Sequence, residues 1–373
     1  MTKADGNASN RFVRTMRLVY QPIGFRKGYN FVLFFITVGA LFGFTLSRLQ
    51  YLSFWGVFCK PGGKGINHAI PGECYYYSRD PFKLGIMLHI FTILPAALLV
   101  CLQFVPIIRH KVIIFHRLNG YLVILLSTIA SAGAFMIARH TLGGDMATQT
   151  WTGAMIISTT IAYLMAWVNI KRLQIDQHRA WMLRAWAYVG ARILVFEDTS
   201  LTSLQFATIV TLRIIMILAV TIISGLSGWY VARPCAEIDY TFGQKNTVRF
   251  WPECSNFYNG TNLEQVVVVQ ANKKGKAIEV GAAFGMSFGS AGWLAFWLHA
   301  IGVELYLRLT PAESDRLRQV SYERQLERGF KHPGSAGLTA ERFGDATPYE
   351  PTSTVRESVA ETIPLKDFDE RER

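Results

Sequence analysis

The sequence predicts an all-α integral membrane protein: a bundle of seven membrane-embedded helices, six or seven of them crossing, followed by a disordered C-terminal tail. Three observations predict it. Seven long apolar runs fill most of residues 29–307, and about 20 apolar residues carry a helix through a bilayer core. Lys and Arg gather in short segments beside those runs, as cytoplasmic flanks do. After residue 307 the composition changes to charged, then Gly-, Pro-, Ser- and Thr-rich sequence.

Residues 1–28 are polar and basic and lack the apolar core of a signal peptide. They read as a cytosolic segment, with the run 29–52 as an uncleaved anchor. The multi-pass domain, 29–307, continues with runs at 84–108, 118–138, 151–170, 180–197, 204–231 and 278–306. Inside lipid each backbone amide must bond within its own segment, so each run is read as a helix. The run 180–197 is the weakest, because Arg184 and Arg192 lie within it and Glu197 and Asp198 close it. Charges at bilayer depth cost a few kcal/mol each.

Gly281, Gly285, Gly289 and Gly292 recur along the last run, and Gly39 and Gly43 along the first. Such spacing flattens a helix so that another can approach closely, within the bundle or as a homo-oligomer or partner-helix face. Thr310-Pro311-Ala312-Glu313 reads as a capping box opening a charged helix within 308–330. Residues 331–373 hold too few apolar residues to fold and are expected to be disordered. Ser321, Thr347 and Thr352 are phosphorylation candidates, set against plain solvated side chains.

The formal net charge of +12 suggests nucleic acid at first sight, but its distribution argues against that. The excess lies at Arg11, Arg14, Arg17, Arg26 and Lys27, at Arg109, Lys111 and Arg117, and at Lys171, Arg172, Arg179 and Arg184. These residues flank the runs, so the charge reports topology and attraction to anionic membrane lipids.

Of five cysteines, Cys101 lies in the second run. Cys59 and Cys74 lie in the first long loop, Cys235 and Cys254 in the last, where an oxidising face would pair them within or across loops. Asn259-Gly260-Thr261 is a glycosylation sequon in the same last loop. These features suit the plasma membrane or a secretory-pathway membrane. They also expose a conflict. With a cytosolic N-terminus the first cysteine loop is outside, yet five further crossings put the second inside. If 180–197 does not cross, both loops face outward.

The chemistry-bearing candidates are histidines near the membrane. His89 lies two turns into the second run, His116 and His140 flank the third, and His178 opens the fifth. Two histidine pairs at two depths match the layout of a bis-histidine haem b protein, with Arg117, Arg179 and Arg184 holding propionates or lipid phosphates. His116 and His140 are about 36 Å apart along a straight helix, which places both at interfaces or requires tilt. Another arrangement is one metal at His116, His178 and Asp176. Against both stands the plain role of capping helix ends and binding headgroups. His299 and Glu304 share the last run. The sequence contains no His-Glu-x-x-His, P-loop or Cys-x-x-Cys.

The order of His89, Gln103-Phe104, His116-Arg117 with Gly120, and His178-Arg179 with Trp181, Met182 and Arg184 resembles a family of predicted membrane proteins, domain of unknown function 2306. Arg192 falls where that family tends to have arginine. The resemblance covers roughly 83–230. Fungal members, which carry an extended tail, also look similar around Trp297–Glu304 and from Ser321 to Gly337. It implies that the segment after His178 is membrane-embedded, and it brings no activity with it. The leading functional expectation is a haem-binding redox protein. The alternative is a transporter or lipid-binding scaffold, and a weaker third is an assembly factor acting through its tail.

Overall fold

A computed structural model describes residues 11–25, 28–60, 68–190, 218–222, 228–334 and 349–351. The chain divides into two units, Met1–Ile156 with Gly190–Phe296, and Ile157–Val189 with Trp297–Arg373. Nearly all described elements are helices. α1 (Arg11–Tyr20) leads into α2 (Gly28–Arg48). α3 (Glu73–Tyr77) is a short helix ahead of α4 (Phe82–Gln103) and α5 (Pro106–Lys111). α6 (Ile113–Ile137), α7 (Met146–Lys171) and α8 (Ile175–Gly190) follow. After β1 (Tyr230–Pro234) come three short helices, α9 (Cys235–Phe242), α10 (Gln244–Phe250) and α11 (Ser255–Tyr258). β2 (Val266–Gln270), α12 (Ala277–Leu309) and α13 (Pro311–Glu327) complete the order.

Among the described residues four segments are long and apolar enough to cross a membrane: Gly28–Leu52, Phe82–Gln103, Ile113–Ile137 and Met146–Lys171. α12 is longer, at 33 residues, but Gly, Ser and Trp dilute its apolar character. Large apolar side chains such as Phe35, Leu125, Phe135, Ile157 and Leu164 are exposed on these helices, as a lipid-facing surface requires.

Several expected boundaries move, each for a local reason. The second run stops at Gln103, because Pro106 holds Val105 extended and restarts a separate helix. The end of the run 204–231 is not helical: Tyr230–Pro234 is a strand, antiparallel to Val266–Gln270, with Val231 opposite Val269. The valine run at 266–269 suits a pleated surface, so the all-α expectation is corrected by this ribbon. Most of that run, 204–217 and 223–227, lies outside the described residues, as do Arg192, Glu197 and Asp198. The capping box does not form. Thr310 Oγ1 donates back to the Tyr306 carbonyl, and Glu313 pairs with Arg316. The charged helix itself is present as α13. Of the tail, 335–348 and 352–373, with Thr347 and Thr352, lie outside the described residues.

The first unit is built on close helix contact. α4 and α6 touch backbone to backbone: a Cβ on Gly133 would lie 2.5 Å from Gly85 O and 2.7 Å from His89 N. Asn119 Nδ2 donates to the Leu99 carbonyl and Gln103 Nε2 to the His116 carbonyl, which ties the end of α4 to the start of α6. Tyr51, Phe54, Phe58 and Tyr77 pack with Ile86, Ile90, Leu94 and Ile137 as a buried cluster. The α12 glycine stripe is used inside the chain. Gly281 faces Pro71, Gly285 faces Leu142, Gly289 faces Ala147 and Thr148, and Gly292 faces the Trp151 ring.

Candidate functional site

The first unit carries a polar node where three loops meet. Cys59–Cys74 closes one loop and Cys235–Cys254 the other, so both bridges are within loops. The first bridge fixes α3, which presents Glu73, Tyr76 and Tyr77. Glu73 is buried and accepts from Leu142 N (2.7 Å), Ile70 N (3.0 Å) and the Tyr77 hydroxyl (3.1 Å). Burial raises its carboxyl from 4.5 to about 7, against these lowering hydrogen bonds and the charge of Arg233. Glu237 is also buried. Its carboxylate accepts from the Tyr76 hydroxyl (3.0 Å) and Arg233 Nη1 (3.2 Å), and burial raises its pKa too. Gly72, at φ +98°, permits this approach: a Cβ there would lie 2.2 Å from Glu237 Oε1. Ser78 and Tyr240 hydroxyls lie 3.3 Å apart across the same seam.

His140 belongs to this node. Its ring stacks on Tyr76 at 4.0 Å and meets the Phe82 edge at 4.3 Å. Burial first, and Arg139 second, lower its pKa. His89 sits in the α4–α6 contact, its Nδ1 2.9 Å from the Ala130 carbonyl. His116 is half-buried at the start of α6, and Arg117 beside it is exposed. His140 is therefore packed between aromatic rings, while Gly85 and Gly133 close the α4–α6 interface around His89. His116 and His178 belong to different units, as do His116 and Asp176. Among the described residues no three His, Cys, Asp or Glu side chains form a metal-holding group.

The second unit carries a polar seam. His178 Nδ1 lies 2.9 Å from the Ala166 carbonyl, and His299 Nδ1 lies 3.2 Å from the Ala187 carbonyl. A carbonyl only accepts, so each Nδ1 donates in these bonds. His299 Nε2 is buried without a hydrogen-bond partner among the described residues. Arg184 donates to both carboxylate oxygens of Glu304, at 2.5 and 2.9 Å, and stacks over Trp181 at 4.8 Å. Arg179 lies over the Tyr306 ring at 5.6 Å. At the end of the seam Asp176 faces the buried Ser321 hydroxyl at 3.4 Å. Ser321 thus lies inside the α13 contact, where a solvated phosphorylation candidate was expected.

The expected His178, Arg179 and Arg184 thus share one seam, joined by His299, Glu304 and Tyr306 of α12. Glu73, Glu237 and Arg233 were not among the expected site residues. Their loops look solvated in sequence, and Arg233 and Glu237, four residues apart, pair across the junction of β1 and α9. Residues 86–232 match the family described as predicted membrane protein (DUF2306). The DUF2306 segment holds His89, the Gln103–His116 tie and the α8 side of the seam. Glu73 and the α12 residues lie beyond it. Ava biosynthesis cluster protein G of Aspergillus versicolor is 23% identical over 327 residues, 80% of this chain and 94% of that relative. No solved structure matches.

Proposed function

We propose that this chain is a membrane transport protein serving a biosynthetic route, with the α8–α12 polar seam as its substrate or proton path. The bidentate Arg184–Glu304 pair carries the reading. Ion pairs inside membrane segments are costly and mark substrate or ion pathways. His178 and His299 place two imidazoles in the same seam, and the relative's printed name supports a biosynthetic context. The test is deletion of the gene in its source organism, followed by metabolite analysis of cells and medium. Transport predicts the same compound redistributed between the two, restored by wild type and not by Glu304→Gln. A precursor of different mass would overturn transport in favour of a chemical step.

A second reading has its own support. His89 and His178 each set Nδ1 on a backbone carbonyl, the support that histidine ligands of haem or metal commonly have. Haem would supply one-electron transfer, held by His89 or His178 singly, with Arg179 and Arg184 near the latter for propionates. His116, His140 and Arg117 would then be interfacial rather than ligating. An absorption spectrum of the purified protein with and without dithionite tests it. A colourless protein made with full haem supply removes the reading.

The topology that fits both readings has seven embedded helices and six crossings. The node holds residues 70–78, 141–142 and 233–240 together, which supports one membrane side for all three. With six crossings the N-terminus and the tail are both cytosolic, and Asn259, exposed at a turn, is open to glycosylation.

A further inference from the structure

The turn between α7 and α8, in the second unit, is tight and strained. Leu173 takes φ +57°, in the left-handed region that residues with a Cβ disfavour. The Gln174 N–H reaches back to the Asn169 carbonyl at 2.9 Å. Two side chains of α13 hold this turn from outside. As the first amide of α8, the Ile175 N–H has no intrahelical partner. It donates to the Ser321 hydroxyl at 2.9 Å, across 146 residues of sequence. Gln325, buried one helical turn beyond Ser321, donates through Nε2 to the Arg172 carbonyl at 3.0 Å.

The other end of the Gln325 amide is taken by the tail. Its Oε1 accepts the Gly334 N–H at 2.8 Å, and the Gly334 carbonyl accepts the Tyr349 N–H at 2.7 Å. Gly334 is buried at φ +88°, and a methyl there would run into the Tyr349 carbonyl oxygen, so only glycine lets the two backbones close. The Tyr349 ring packs against Tyr322 at 5.9 Å, and the Arg318 guanidinium lies over it at 5.8 Å. The hydrogen bonds run in one line from Tyr349 through Gly334 and Gln325 to Arg172. A buried amide is costly to leave half-bonded, so the tail end of that line supports the turn end. Asp176, Ser321, Gln325, Gly334 and Tyr349 line the small crevice where these segments meet.

We propose that Tyr349–Pro351 is an intramolecular strap: it docks on α13 and the Gly334 turn, clamps the strained α7–α8 turn, and so fixes the first turn of α8, which leads to His178. The occupant of this surface is the chain's own tail, because its backbone and its ring both meet the surface. Withdrawal of the strap, by a competing peptide or by a charge placed on Tyr349, loosens the entry to α8. The strap acts on α8 whatever the α8–α12 seam carries, so it does not depend on the transport reading.

Hydrogen exchange of the full-length protein in detergent, read by mass spectrometry, tests the strap. In wild type the peptides spanning 172–178 and 330–334 and the peptide containing Tyr349 should be protected. Tyr349→Ala removes the ring and should speed exchange of 172–178 about tenfold, with α4 and α6 unchanged. Gly334→Ala, which leaves the ring in place and blocks the backbone contact, should do the same. Tyr349→Phe keeps the ring and should exchange as wild type, as should Glu350→Gln, whose side chain is exposed. Unprotected exchange at Tyr349 in wild type overturns the docking. Loss of protection at residue 349 in Tyr349→Ala, with 172–178 still protected, overturns the clamp. Loss of protection when wild type is diluted assigns the strap to a second copy and overturns the intramolecular form.

Discussion

Glu73 makes the polar node sensitive to pH in a direction opposite to an ordinary ion-paired carboxylate. Its pKa rises on folding, from 4.5 to about 7, because burial outweighs its three hydrogen bonds and Arg233. Between those values the folded protein binds the proton that the unfolded chain has released. Stability is therefore fully present below about pH 4.5 and is lost as pH rises through about 7. The gap corresponds to about 3 kcal/mol. For a domain of this size that is about 6 °C in Tm. Glu237 acts in the same direction, and His140, whose pKa is lowered, acts in the opposite one below its ordinary value of 6.5. The Glu73 share is isolated by comparing wild type with Glu73→Gln at each pH. The amide cannot ionise, and its NH2 opposes one backbone N–H, which gives a constant penalty of about 1–3 kcal/mol. Melting of the purified protein from pH 4 to 8.5 should show wild type losing ground to the variant by about 3 kcal/mol across the window. Parallel curves would refute the reasoning, because they would mean Glu73 is ionised and satisfied throughout.

Arg184→Gln or Glu304→Gln should each destabilise the protein by about 1–3 kcal/mol, since each leaves a lone charge in the seam, and the double variant should recover part of the loss in melting experiments. Gly133→Ala should cost about 2 kcal/mol or more, because its methyl meets Gly85 O and His89 N, while Gly153→Ala, with nothing within 4 Å, should be near neutral. Ser321→Asp places a charge beside Asp176 and removes the hydroxyl that accepts from Ile175 N, so limited proteolysis within α13 should accelerate while the node's pH response is unchanged. Asn259→Gln should abolish a glycan-dependent mobility shift in a eukaryotic host, and an unglycosylated wild type would count against a lumenal node.

The long apolar helices were legible because their signals are local. Run length gave α2, α4, α6 and α7 to within a few residues, apart from the stop before Pro106. What was illegible depends on distant partners. Glu73 in a Gly- and Pro-rich loop looks like any solvated acid, and its burial comes from Leu142 and the closed loops around it. Arg184 marked its run as anomalous, but its partner Glu304 lies 120 residues away. The haem layout was inferred from histidine depth alone, and depth says nothing of neighbours. His140 proved to be packed by Tyr76 and Phe82, whereas His178 and His299 gained a common seam. The ribbon at 230–234 escaped notice because an apolar run near its end does not distinguish strand from helix.

The loop bridges impose an order on synthesis. Cys59 and Cys74 are 15 residues apart, whereas the Tyr76–Glu237 contact spans 161 residues. At about 5–20 residues per second, that interval takes roughly 8–30 s. The first pair of thiols can therefore close before Cys235 exists, so the order of synthesis favours the two within-loop bridges. Through the same interval Tyr76 must wait for Glu237, so the last cysteine loop acts as the keystone of the node. A chain truncated before residue 230 would keep its first bridge but leave the place of Glu237 open.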